Sequence, residues 1–307
     1  MIVDKNFSIV TPGGCNAKCS FCTDSHTRKA AKDYIPNLIE TLNYLPDEFE
    51  ACSITGGEPT TSKSLLIILA LVKDHGFKRT VLTTNGSRLL ALSSDLEGLV
   101  DHVNVSRHSV DDAENTAIFG TAAVPDTDTL TAAISALSAN RIDTTLNVVY
   151  TPDSEIDMDA FVSYAKNVGA GTLCFRYDHT QGCVEETALE HEFAEWKKVQ
   201  QSSCPVCRTH TIIYNGMRVM FKASASEPSN EMGEVYEVIY QITGKATTDW
   251  AGNNEFDPDT YDDDDLLSQL REDTSSGGCG DRAVSSCGAR ASVPAVSSGC
   301  GGRSNGC

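Results

Sequence analysis

Cys15, Cys19 and Cys22 stand at CxxxCxxC spacing in the run TPGGCNAKCSFC, directly after a short apolar stretch. Three thiolates this close can hold three irons of a cubane cluster and leave the fourth iron without a protein ligand, or they can form part of a zinc site. Gly56, Gly57, Glu58 and Pro59 follow the next strand-like run. Their glycines expose backbone groups, and Glu58 can receive an ammonium or brace the loop; taken alone, the four residues are a turn ahead of a helix. Asn85 with Gly86, and Ser106 with Arg107 and His108, stand at two later strand ends. Arg107, His108 and Arg176 can meet a substrate carboxylate or phosphate. The plainer alternatives are local hydrogen bonding for His108 and an ion pair with Asp178 for Arg176. Cys204 and Cys207 form a CxxC pair, which can be free or redox-active, part of a second metal or cluster site completed by Cys174, Cys183 or the tail cysteines, or the metal-free remnant of an ancestral site. Cys52 and Cys174 fall within strand-like runs and read as buried apolar residues.

These residues need elements that bring them together. Strand-like runs occupy 7–10, 51–55, 79–83, 103–106, 144–150 and 172–177. Helical periodicity fills the intervals: 35–45, a segment capped by Ser62 and closing near Gly76, 89–99, a helix capped by Asp126, 161–168 and 189–199. Six βα units imply parallel strands with right-handed crossovers, and the expected fold is α/β, a partial (β/α)6 TIM-like barrel. An open doubly wound sheet has the same periodicity. The cysteine loop, the 56–59 loop, Asn85 and Ser106 all fall at carboxyl ends of strands, where such barrels build their sites. Beyond them, Asn215-Gly216 between two β-like runs predicts a hairpin, and 234–242 reads as a last helix. The expected organisation is a barrel over 1–200, a hairpin and helix region over 201–245, and an acidic linker with a Gly/Ser/Cys-rich disordered tail over 246–307.

Composition narrows the classes. The 307 residues are 40% hydrophobic, enough for a substantial core, and the formal charge of −19 opposes capture of nucleic acid or anionic lipid by bulk electrostatics. No apolar run approaches the roughly 20 residues that span a bilayer, and the opening residues lack the pattern of a signal peptide. A cytoplasmic protein is expected, and there twelve cysteines point to metal or redox chemistry instead of structural disulfides. The acidic run 257–265 lacks the glycine and terminal glutamate of an EF-hand loop and reads as a solvated spacer.

CNAKCSFC, with the aromatic Phe21 before its last cysteine, followed in order by GGEP, a polar turn at Asn85 and Ser106 on the fourth strand, resembles the radical S-adenosylmethionine superfamily over about residues 5–200. The resemblance implies that Cys15, Cys19 and Cys22 hold a [4Fe-4S] cluster whose open iron binds the methionyl group of S-adenosylmethionine. It further implies a cofactor pocket drawing on Phe21, Gly56, Gly57, Glu58, Pro59, Asn85 and Ser106. Reductive cleavage of the cofactor would yield a 5'-deoxyadenosyl radical that abstracts hydrogen from an organic substrate, with electrons from a flavodoxin or ferredoxin. The CPVC pair and hairpin are similar to the auxiliary-cluster region of the molybdopterin-precursor cyclase branch, yet Val219, Met220 and Phe221 stand where that branch has a third cysteine. A complete second cluster is therefore not carried over. The expected substrate is a nucleotide or base derivative; the alternatives are a peptide-modifying maturase and a non-catalytic zinc or iron-sulfur protein. Cys279, Cys287, Cys300 and Cys307 are irregularly spaced, and the tail that carries them can be read as a linker, a ligand donor or a peptide substrate.

Overall fold

The protein is described from a computed structural model over residues 5–22, 29–151, 154–178, 198–201, 209–222 and 235–258. All of these belong to the first of two compact units, Met1–Pro258 and Asp259–Cys307. Cys183, Cys204, Cys207 and the tail cysteines lie outside the described residues.

Aliphatic and β-branched runs form the central strands β1 (Asn6–Thr11), β2 (Ala51–Gly56), β3 (Arg79–Thr84), β4 (His102–Ser106), β5 (Asp143–Tyr150) and β6 (Thr172–Tyr177). The helices between them are α1 (Tyr34–Tyr44), α2 (Leu65–His75), α3 (Leu89–Leu92), α4 (Asp112–Phe119), α5 (Thr127–Ala139) and α6 (Met158–Val168). After them come β7 (Lys198–Gln201), β8 (Thr209–Tyr214), β9 (Met217–Lys222), β10 (Glu237–Tyr240) and β11 (Ala246–Thr247). Among the described residues, one sheet runs β11-β10-β1-β2-β3-β4-β5-β6-β9-β8-β7. Every pairing from β10 to β9 is parallel, and β11, β8 and β7 are added antiparallel.

Strands β1 to β6 lie in chain order, so each crossover steps one place in the same direction. Right-handed connections then put the helices on one face, and the sheet curls with the helices outside, a partial (β/α)6 barrel. The two faces differ in chemistry. Phe7, Ile54, Leu82, Val103, Leu146 and Phe175 are fully or almost fully buried on the helix side, where Phe175 meets Phe161 of α6 with ring centroids 5.6 Å apart. The register sets Asn6, Ser8, Ser53, Asn104, Asn147 and Arg176 on the opposite, inner face. Hydrogen bonds line that face: Ser8 Oγ donates to Glu237 Oε1 at 2.7 Å, Ser53 Oγ to Asn6 Oδ1 at 2.9 Å, and His102 Nε2 bonds Thr145 Oγ1 at 2.9 Å.

Several local expectations are corrected. The 234–242 stretch forms strand β10, not a helix, and pairs with β1. Val238 and Tyr240 are buried on the helix side and Ile239 on the inner side, so both faces are apolar and periodicity does not separate strand from helix. Of the 189–199 helix, Lys198 and Val199 fall in β7, and the rest lies outside the described residues. Ser62 closes a 3-10 turn at Pro59–Thr61 and accepts the Ser64 N–H on its Oγ at 3.3 Å, so α2 begins at Leu65. The 89–99 helix shortens to α3. Helix α4 was not anticipated; the Asp111 carboxylate caps it by accepting the Glu114 N–H at 2.8 Å. The hairpin forms as expected, with Asn215 at φ 48° and Gly216 at φ 75°. No helix among the described residues is long and apolar enough to cross a membrane.

Candidate active site

Strand β1 delivers the chain into the cysteine loop, which is anchored by packing. Ala17, only 1% exposed, joins Phe119 and Val124 in an apolar cluster against which Cys15 and Cys19 lie. The Lys18 N–H donates to Phe119 O at 2.8 Å, and the Cys22 N–H to Cys19 O at 3.2 Å. Burial pushes the Cys19 thiol up to about 11, and the neighbouring Cys22 and Cys15 sulfurs act in the same direction. Three sulfurs gathered in one loop would repel one another as thiolates, and cationic iron would share that charge, so this donor set fits a cluster. Among the described residues no three His, Cys, Asp or Glu side chains are arranged to hold a single metal ion. A site in which each sulfur takes its own iron does not require that convergence.

The 56–59 loop is pressed against this one. Gly56 has φ 135°, and a Cβ there would lie 2.8 Å from Thr11 Oγ1; a Cβ on Gly57 would lie 2.9 Å from the Cys15 backbone nitrogen and from Gly14 C. Only glycine permits both approaches. Glu58 is 2% exposed. Its Oε1 accepts from Thr60 N at 2.9 Å, Thr60 Oγ1 at 2.5 Å and Thr84 Oγ1 at 2.6 Å, and its Oε2 accepts from Asn85 N at 2.6 Å. Through these bonds Glu58 joins the ends of β2 and β3. Pro59 is buried at the start of the 3-10 turn. Asn85 continues the connection, since its Nδ2 donates to Asn16 Oδ1 at 2.8 Å inside the cysteine loop. Asn16 Nδ2 in turn donates to Ser87 Oγ at 2.9 Å. Asn16, Thr60 and Thr84 are site residues that sequence reasoning missed. The available signal was their polarity beside the motifs, which does not reveal partners.

At the end of β4 the three expected residues separate. Ser106 pairs with Asn147 on the inner face. Arg107, 2% exposed, turns inward to the protein instead of toward a substrate. It donates to Ser109 O at 2.6 Å, Pro125 O at 3.2 Å, Val110 O at 3.3 Å and Asp112 Oδ1 at 2.6 Å, with its guanidinium carbon 4.9 Å from the centre of the Tyr164 ring. Four donors so committed make it the fastening of the β4–α4 connection. His108 Nδ1 accepts the Val149 N–H at 3.1 Å, extending the β4–β5 pairing beyond Ser106. Its ring packs against Phe21 at 4.9 Å and Phe119 at 4.8 Å. Burial, helped by Arg107, pushes the imidazole down to about 3, so near neutrality it is uncharged with its proton on Nε2. The ring is thus engaged in local contacts, and Phe21 ties the cysteine loop to it. Arg176 lies on the inner face of β6, level with Val149 and Lys222.

Comparison with known proteins accords with this arrangement. The Radical SAM superfamily model matches residues 9–165. A probable GTP 3',8-cyclase of Sulfurisphaera tokodaii is 31% identical over 185 residues, covering 59% of this chain and 58% of that protein. An S-adenosylmethionine-dependent nucleotide dehydratase of a Thermoplasmatales archaeon is 34% identical over 110 residues, covering 34% of this chain and 38% of the relative. SuiB of Streptococcus suis, solved with its precursor peptide SuiA, aligns with a TM-score of 0.47 and 19% identity over 58% of this chain and 40% of that one. The chain thus spans less than two thirds of the length of these curated relatives.

Proposed function

The chain belongs to the radical SAM superfamily, and on that premise we propose that it is an enzyme whose Cys15, Cys19 and Cys22 hold a [4Fe-4S] cluster that binds S-adenosylmethionine, and whose substrate is a nucleotide or base derivative. The observation that carries the cofactor site is the contact of Gly57 with the Cys15 backbone, which joins the cysteine loop and the GGEP loop into one structure. When bound, the cluster and S-adenosylmethionine would supply reductive carbon–sulfur cleavage and a 5'-deoxyadenosyl radical for hydrogen abstraction, the electron coming from a flavodoxin or ferredoxin.

The chain's own residues orient and shield. Glu58 keeps the GGEP backbone in place through four accepted hydrogen bonds. Asn85 and Asn16 hold the cysteine loop to the end of β3. Phe21, His108 and Phe119 form an aromatic cluster beside it. Ser106 and Asn147 present polar groups on the adjoining inner face. The nucleotide reading draws support from relatives named for nucleotide chemistry and from this polar inner face.

The test uses the anaerobically reconstituted chain with the four ribonucleoside triphosphates deuterated on ribose. Deuterium is expected in the 5'-deoxyadenosine formed with one of them. Cofactor cleavage with no deuterium transfer from any of the four would refute the nucleotide substrate and leave the cofactor assignment standing.

A further inference from the structure

Arg176 and Lys222 occupy paired positions on β6 and β9, at the carboxyl ends of both strands. Parallel neighbours lie about 4.8 Å apart, so a guanidinium and an ammonium leave the sheet side by side on its inner face. Both are half-buried. Both act on the buried thiol of Cys174, which burial raises and the two cations lower. Cys174 sits level with Asn147, and Arg176 with Val149, so the β5 positions beside the pair are uncharged; the buried Asp178 follows two residues beyond Arg176, past the end of β6. The only acid on the inner face of β5 is Asp143, at the opposite end of that strand. Among the described residues neither cation meets a carboxylate.

Two adjacent half-buried cations repel one another and lose hydration, and a bound anion relieves both costs. The pairing is notable in a chain with a net charge of −19. A guanidinium fork beside a compact ammonium suits the oxygens of a phosphate, one supplying paired hydrogen bonds and the other a point charge. We infer that Arg176 and Lys222 form the subsite for the phosphate end of the substrate. This inference rests on the nucleotide reading and makes it more specific. Both residues lie at the same end of the parallel strands as the cysteine loop, which follows β1. A phosphate anchored on β6 and β9 leaves the remainder of the molecule to extend over Asn147 and Ser106 toward the cofactor site.

Equilibrium binding of GTP, guanosine and inorganic pyrophosphate to the reconstituted full chain tests this. Arg176→Gln and Lys222→Gln should each weaken GTP and pyrophosphate by about 10- to 100-fold. Guanosine binding should stay unchanged, and Arg176→Lys should recover part of the loss. Lys73→Gln removes the same charge from the exposed surface of α2 and should leave GTP binding unaltered. A steep fall of wild-type GTP affinity with salt, absent for guanosine, is the expected companion result needing no variant. GTP binding that is equally tight in wild type and both Gln variants would overturn the subsite while sparing the nucleotide reading. Pyrophosphate binding lost in the variants, with no GTP binding to wild type, would support the subsite and overturn GTP as the nucleotide that it anchors. Failure of wild type to bind either GTP or pyrophosphate would overturn the subsite.

Discussion

A methyl group on Gly57 would stand 2.9 Å from the backbone of Gly14 and Cys15, inside the distance that any carbon tolerates. Backbone cannot yield as a flexible side chain does, so Gly57→Ala should displace the cysteine loop. The expected result is a several-fold loss of iron and sulfide after anaerobic reconstitution, with strands and helices retained by circular dichroism. Full iron loading in that variant would show that the two loops move independently. The cysteines and GGEP are legible in the sequence because their roles follow from residue type and local spacing. Arg107 and His108 are less so. Their chemistry suits an open pocket, but side-chain direction at a strand end depends on the next loop, and Ser109, Val110 and Pro125 draw the guanidinium inward. Asn16 and Thr84 escape notice because their partners come from distant parts of the chain, Asn85 and Glu58 respectively.

Among the elements, the hairpin and the first six strands can be read directly, since Asn-Gly and the βα alternation are local signals. Helix α4 carries its own signal in the Asp-x-x-Glu of Asp111 and Glu114, a capping pattern ahead of too few apolar residues to show a clear period. Strand β10 is the instructive error. Its valine and isoleucine positions match a helix repeat, and only the vacancy beside β1, visible once the sheet is assembled, decides for a strand. Because Ile239 pairs with Ser8 on one side and Thr247 on the other, proline there loses a ladder hydrogen bond whichever way its N–H points. Ile239→Pro should destabilise the protein by on the order of 3 kcal/mol in denaturant unfolding. An unchanged midpoint would mean that β10 contributes little to the sheet.

At the scale of the whole molecule, sequential parallel strands produce a barrel with an apolar outer seam and a polar inner face. The cysteine loop and the GGEP loop open at one end of that face, as do Arg176 and Lys222. The curl of the sheet follows from strand order, and that order was predictable from six consecutive βα units. The extension of the sheet by β10 and β9 was not, because these strands pair with β1 and β6, far away in sequence. On the proposed reading each side of the barrel has one task, cofactor binding beside β1 and β2 and substrate anchoring beside β6 and β9. Its central claim is that the three cysteines build the reactive centre. The most direct measurement is reductant-dependent formation of 5'-deoxyadenosine by the anaerobically reconstituted chain, beside a variant with Cys15, Cys19 and Cys22 replaced by alanine. Wild type should carry about four irons and four sulfides and cleave S-adenosylmethionine, and the variant should do neither. Stoichiometric zinc without cleavage in wild type, or cleavage retained in the variant, would contradict the assignment.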